Sequence, residues 1–294
     1  PIYDVYEVLA AKMNSSTKPI FPILPSTFTA REEVNAFLQK GRINFPDEVL
    51  FARALGLVSK TPHPAPAEIE LPRTDRDLIR AVIDRSPEGY LPPDALQALL
   101  DAAGIPRTPE AVVTSAGEAA EKALEMGLPV VMKVVGPLHK SDLGGVRLNI
   151  ATARQAEETF DSIMQIEGAR AVLIQPMLKG TELFAGAKHE EKFGHLILCG
   201  LGGIFIEALK DFSAALSPLT HMEARDMIAS LKSLPVLKGI RGKQGVDLDA
   251  FADILVRLSA LLSAAPEIRE MDINPLLASG DRIVAVDMRI RIAK

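Results

Sequence analysis

Apolar residues recur at changing intervals along this chain, and the changes divide it. In residues 1–60 short apolar runs at 18–24 and 43–45 alternate with amphipathic stretches at 30–41 and 46–59, the first of which stops at Gly41. Such alternation predicts strands and helices of an α/β unit with a parallel sheet. Two strands cannot build a sheet that needs cover on both faces. Residues 1–62 are therefore expected to be the C-terminal part of a larger domain. The chain also begins at Pro1, inside helix-like sequence, and reads as a cut or processed chain. Residues 63–74 open with His63-Pro64-Ala65-Pro66 and read as a stiff, extended linker with His63 in solvent.

Beyond the linker the pattern becomes regular. Helices are predicted over 75–86 and 93–103, the second stopped by Gly104. A strand at 110–114, a helix at 115–126, strands at 129–135 and 145–150, a helix at 152–166 and a strand at 171–175 follow. The texture then turns strand-rich, at 182–188, 195–199, 204–208 and 213–216. Helices at 221–232 and 247–264 precede two closing strands, 268–273 and 282–290.

Three polar features interrupt these apolar runs. The first is Lys133 within Val130-Val131-Met132-Lys133-Val134-Val135. A buried lysine needs an anionic partner, and nucleotide phosphate suits it; the alternative is a lysine that snorkels at a sheet edge. The strand empties into Gly136-Pro137-Leu138-His139-Lys140-Ser141-Asp142-Leu143-Gly144-Gly145. The glycines offer backbone N–H groups to a phosphate, and His139 offers a neutral nucleophile. The second feature is Gly200-Leu201-Gly202-Gly203, half a dinucleotide fingerprint followed by an apolar run, which reads better as a tight turn. No Walker A pattern occurs. The third is Asp272-Ile273-Asn274-Pro275 with Asp287. Alternation places Asp272 and Asn274 on one strand face, and Asp287 can return opposite them. Such oxygens suit Mg²⁺ shared with nucleotide phosphates; the bland alternative is turn polarity around Asn-Pro.

Composition narrows the class. The 294 residues are 48% hydrophobic, enough for two or three compact units. A net charge of −5 argues against general nucleic-acid binding. A single cysteine, Cys199, leaves no internal disulfide framework and fits a reducing compartment. No secretory signal pattern and no apolar run of membrane length occurs, so a cytoplasmic setting is expected. His189, His195 and His221 lack metal-ligand spacing and read as structural.

Lys133 in its strand, His139-Lys140-Ser141-Asp142-Leu143-Gly144-Gly145-Val146, Gly200-Leu201-Gly202-Gly203-Ile204-Phe205-Ile206-Glu207, Leu237-Lys238-Gly239-Ile240-Arg241-Gly242 and Asp272-Ile273-Asn274-Pro275 occur in one order. This set resembles the ATP-grasp part of the NDP-forming acyl-CoA synthetases, the acetate–CoA ligase (ADP-forming) group related to succinyl-CoA synthetase. The resemblance covers residues 75–294 and implies a two-lobed ATP-grasp module, with lobes at about 105–178 and 179–294. Residues 1–62 resemble the end of the flavodoxin-like ligase domain that precedes this module in single-chain members. The family interconverts acyl-CoA, NDP and phosphate with acid, CoA and NTP, passing phosphate through histidines.

By resemblance His139 is the phosphohistidine of a swinging loop and Asp272 orients its imidazole. Asn274 and Asp287 match Mg²⁺ ligands. Lys133 with Gly144 and Gly145 would meet ATP or ADP phosphates. Gln175, Met177 and Leu178 would form the hinge against adenine, and Glu182 would hold the ribose. The family's Ser-His-Thr-Gly segment and its CoA-binding domain are missing. The resemblance thus implies the nucleotide half-reaction only, with CoA and the small acid reached through partner domains on the same chain or another subunit. No nucleic-acid or membrane partner is expected, and a homo-oligomer is compatible. Two alternatives stay open. One is the degenerate, acyl-CoA-sensing synthetase region of a protein lysine acetyltransferase. The other is a different ATP-grasp carboxylate ligase, which needs no histidine carrier.

Overall fold

A computed structural model describes residues 5–23, 31–61, 69–136, 144–203, 210–239, 245–280 and 282–294. The chain forms two compact units, Pro1–Ala67 and Glu68–Lys294. No helix among the described residues is long and apolar enough to cross a membrane.

The first unit holds helices α1 (Val5–Ser15), α2 (Arg31–Gln39) and α3 (Glu48–Lys60). Tyr6 and Phe37 meet edge to face at 5.5 Å and bury Val34 with them. Phe45 and Phe51 stack at 5.1 Å, and Phe21 joins them. The two expected strands reduce to one parallel bridge, Ile23 with Phe45. Pro19 and Pro22 explain part of this, because each removes a ladder donor from the first run.

The second unit contains two antiparallel sheets, each backed by its own core. The small lobe is a four-stranded sheet in the order β2 (Ala111–Val113), β5 (Ala171–Pro176), β3 (Val130–Val135), β4 (Val146–Ile150). Helices α6 (Ala116–Met126) and α7 (Ala153–Met164) cover one face. Ser115 and Thr152 cap these helices by accepting from Glu118 N and Gln155 N. Ala119, Ala123, Phe160 and Ile163 meet Val130, Met132 and Val134 in its core.

The larger lobe is a sheet with strand order β1 (Gly89–Tyr90), β11 (Met288–Ile292), β9 (Ile268–Ser279), β6 (Thr181–Glu190), β7 (Gly194–Leu201), β8 (Phe212–Leu216), and β10 (Arg282–Ala285) lies beside β9. Helices α4 (Arg76–Arg85), α5 (Pro93–Ala103), α8 (His221–Ala229), the short α9 (Leu234–Leu237) and α10 (Leu248–Ala264) pack on it. Phe251, Leu255, Leu258 and Leu262 of α10 repeat at helical spacing and are fully or almost fully buried against this sheet. The segment from α4 to α5, which precedes the small lobe in sequence, shares the core of the larger one.

Two expectations about the closing strands are corrected. The predicted end of the first strand at residue 273 is wrong: β9 runs on to Ser279, through Asn274-Pro275. There it changes partners, pairing with β11 up to Ile273 and with β10 from Leu276. The predicted continuous strand 282–290 is correspondingly broken at Val286-Asp287. Ala285 spends both of its backbone groups on residues 106 and 108, which pulls the chain off the ladder. The expected strand 204–208 lies outside the described residues.

Candidate functional site

The break at Val286-Asp287 exposes a carbonyl, and both lobes converge on it. Lys133, in the middle of β3, has only 6% of its surface exposed. Its Nζ donates to Val286 O at 3.1 Å. Gln175 of β5 is 1% exposed, and its Nε2 donates to Val286 O at 3.0 Å and to Glu110 Oε2 at 2.6 Å. The two side chains project from adjacent strands of the small lobe, and the carbonyl belongs to the larger lobe. Burial of Lys133, expected from its apolar neighbours, is thus observed, and one partner is a peptide dipole of the opposite lobe.

The carboxylates gather beside this contact. Asn274 N donates to Asp287 O at 3.0 Å, which sets the two residues side by side across the strand pair. Met271 and Ile273 point into the core, so Asp272 and Asn274 share the opposite face, as alternation predicts. Asn274 Oδ1 accepts from Gly203 N at 3.0 Å. Asp287 Oδ1 accepts from Met288 N at 3.0 Å. Asp272 Oδ1 is buried with no hydrogen-bond partner among the described residues. Burial pushes the Asp272 carboxyl above the usual carboxylate range; Arg289, its cross-strand neighbour, pulls it down, and Asp287 and Glu270 push it up again.

The remaining expected contacts are placed as follows. Gly202 N donates to Glu182 O at 2.9 Å, so the Gly-Gly pair is pinned to the start of β6. Gly203 takes a positive φ of 61°, and a Cβ there would overlap the Glu182 carboxylate. Gly200 and Leu201 still belong to β7, only Gly203 sits in a turn, and the second strand of the expected turn, at 204–208, lies outside the described residues. Met177 N donates to Pro129 O at 3.0 Å and ties the segment after β5 to the start of β3, while Leu178 is exposed. Gly145 O accepts from Val134 N at 2.8 Å, and Gly144 O accepts from Arg147. His139, with Lys140, Ser141 and Asp142, lies outside the described residues. Glu110, the Val286 carbonyl and Arg289 escaped the sequence reading, because only the lobe contact and the β9–β11 register bring them here.

The donor set fits a hard cation held jointly with phosphates: one carboxylate, one amide oxygen and a further unpartnered carboxylate oxygen. Among the described residues no group of three or more His, Cys, Asp and Glu could hold a metal unaided.

Comparison with known proteins agrees with this arrangement. Residues 83–292 match the model of the ATP-grasp domain family. The chain is 42% identical over 199 residues to the acetate–CoA ligase (ADP-forming) I subunit beta of Pyrococcus furiosus, covering 64% of this chain and 85% of that subunit. It is 38% identical over 201 residues to the acetate–CoA ligase (ADP-forming) I of Archaeoglobus fulgidus, covering 65% of this chain but 29% of that protein. Among solved structures, the dinucleotide-forming acetyl-coenzyme A synthetase 1 of Ca. Korarchaeum cryptofilum with coenzyme A, Ca-AMPCP and HgCl⁺ superposes with a TM-score of 0.68. It is 33% identical and is covered in full by 75% of this chain. A second structure of that enzyme, with coenzyme A and Mg-AMPPCP, has its phosphohistidine segment pointing towards the nucleotide site; its TM-score is 0.64. The lone lysine strand, the glycine loop, the Asp-x-Asn pair and the two antiparallel lobes thus have one common explanation: the chain belongs to the ATP-grasp domain family, in the branch of the ADP-forming acetate–CoA ligases.

Proposed function

We propose that this chain is the nucleotide-binding, phosphohistidine-carrying part of an NDP-forming acyl-CoA synthetase, an acid–thiol ligase. In the whole reaction acyl-CoA, ADP and phosphate exchange with acid, CoA and ATP, and this chain handles the nucleotide step. The observation that carries the reading is the convergence of Lys133 and Gln175 on the carbonyl next to Asp287, which sets a buried cation of one lobe against the Asn274–Asp287 pair of the other.

Each side chain then has a task that its surroundings support. Lys133 binds phosphate oxygens, because a buried ammonium gains from a charge-assisted contact. Gln175, Met177 and Leu178 flank the base, and Glu182, lying against Gly203, holds the ribose hydroxyls. Gly144 and Gly145 lend backbone N–H groups to the phosphates. Asn274 and Asp287 would hold Mg²⁺, which when bound neutralises phosphate charge. His139 accepts the phosphoryl group as a neutral imidazole, and the unpartnered Asp272 Oδ1 receives its ring N–H and fixes its tautomer.

CoA and the small acid are reached through partner domains, on the same chain or a separate subunit. Residues 1–62, with helices and one parallel bridge, read as the end of a flavodoxin-like ligase domain. Nucleotide and CoA substrates go with a cytoplasmic setting. The test is phosphorylation by γ-labelled Mg-ATP. An acid-labile, base-stable label is expected at His139, lost in His139→Ala with nucleotide affinity nearly intact. A label that persists in His139→Ala removes the carrier role and brings forward the acyl-CoA-sensing alternative.

A further inference from the structure

Residues of both lobes line a cavity of about 270 Å³ beyond the end of β3. Val135, Gly136 and Arg170 of the small lobe line one side, and Leu96, Met288 and Arg289 of the larger lobe line the other. Val135 lies two residues beyond Lys133 and so on the same face of β3. Arg170 N donates to Val135 O at 2.9 Å, which fixes that arginine at the end of the same strand. Arg289 lies two residues beyond Asp287 and directly across the ladder from Asp272. The cavity is thus lined by residues two positions from Lys133 and from Asp287, with one arginine from each lobe on its walls.

Neither arginine has a side-chain hydrogen bond or ion pair among the described residues. Arg289 faces Asp272 and acts on its charge, yet Asp272 Oδ1 stays unbonded. Two arginines on opposite walls, one of them facing Asp272, together with the apolar Leu96 and Met288, suit a compact dianion with several equivalent oxygens.

The geometry points to Arg170 and Arg289 as a receiving site for the phosphoryl group that leaves the nucleotide, a role that rests on the half-reaction proposed above. In that step an imidazole nitrogen forms the N–P bond while the bond from phosphorus to the β,γ-bridging oxygen breaks. The electron pair leaves with the nucleoside diphosphate, and the second ring nitrogen keeps its proton. The three oxygens of the moving group hold their charge throughout, and guanidinium donors match them.

The full 294-residue protein serves for the test, with single-turnover labelling by γ-labelled Mg-ATP beside calorimetric affinity for Mg-ADP. Arg289→Ala is expected to slow labelling about a hundredfold and Arg170→Ala about tenfold, with Mg-ADP affinity within threefold of the parent. Free guanidinium at low millimolar concentration should recover at least fivefold in Arg289→Ala, which a merely structural role would not allow. Orthovanadate, a phosphoryl mimic, should bind with Mg-ADP to the parent and ten times more weakly to the double variant. Labelling at parental rate in the double variant overturns the receiving site. So does a loss of Mg-ADP affinity that parallels the loss of label without guanidinium rescue. If the parent takes no label but binds vanadate through Arg289, the half-reaction reading fails and the site stands; absent label and absent vanadate binding end both.

Discussion

At Lys133 the sequence alone poses the problem: a cation in the middle of an apolar strand, 6% exposed, costs free energy unless an acceptor meets it. The Val286 carbonyl is one acceptor, and a nucleotide phosphate is the proposed charged one. Lys133→Met should therefore weaken Mg-ATP binding roughly ten- to hundredfold, the worth of a charge-assisted contact of about 1.5–3 kcal/mol, with no fall in melting temperature. Calorimetry beside thermal unfolding separates the two effects; unchanged affinity would retire the phosphate role. Asp272 is the complementary case, an acid held above its ordinary range chiefly by burial, with one oxygen unbonded. Asp272→Asn should slow labelling of His139 at least tenfold and leave Mg-ADP affinity within threefold, since its proposed partner is the imidazole and not the nucleotide. Both positions were legible as residues out of place, apolar pattern around Lys133 and carboxylate on an alternating strand for Asp272. Arg289 was not, because a charged residue on a strand looks solvated until its ladder partner is known.

At the scale of elements, regular segments were readable where their ends carry their own signals. α5 runs from Pro93 to Ala103 as expected, because Pro at its first turn and a left-handed Gly104 mark both ends locally. β9 was misread for the opposite reason. Asn274-Pro275 looks like a turn, yet proline is tolerated there because the strand is changing partners and that position is free of a ladder donor. The same exchange breaks β10 from β11 and releases the Val286 carbonyl, so the feature that defeated the strand prediction is the one that builds the site. β7 carries a further consequence. His195 Nε2 donates to Ile268 O at 2.6 Å, joining β7 to the start of β9. Burial holds His195 below its ordinary value of 6.5, more than its bond to Ile268 raises it. A histidine depressed in the fold binds its proton first in the unfolded chain. Its contribution is complete above about pH 6.5 and is lost as pH falls from there through the folded value. The melting temperature should therefore drop between pH 6.5 and 5 more steeply in the parent than in His195→Asn; equal slopes would assign the acid sensitivity elsewhere.

At the scale of the whole molecule, the described residues of the proposed site all belong to the second unit. Its small and larger lobes each have a separate core, and they meet through the polar contacts of Lys133 and Gln175 with Val286 and through the Ala285 backbone bonds to residues 106 and 108. Two cores joined by a polar seam favour lobes that move as bodies about that seam, and a nucleotide bridging both lobes would hold them together. The segment from α4 to α5 is built into the larger lobe, so the functional module begins near residue 68 and not at the small lobe's first strand. The first unit has its own small cluster of Tyr6, Val34 and Phe37. A chain of residues 68–294 should accordingly fold and bind Mg-ADP within threefold of the 294-residue protein. Excess nucleotide should stabilise both to the same degree, about 2.7 kcal/mol at a hundred times the dissociation constant. Thermal unfolding of the two chains with and without Mg-ADP checks this. A shortened chain that folds but loses nucleotide stabilisation would place part of the binding energy in residues 1–67, and the module would then have to be redrawn to include them.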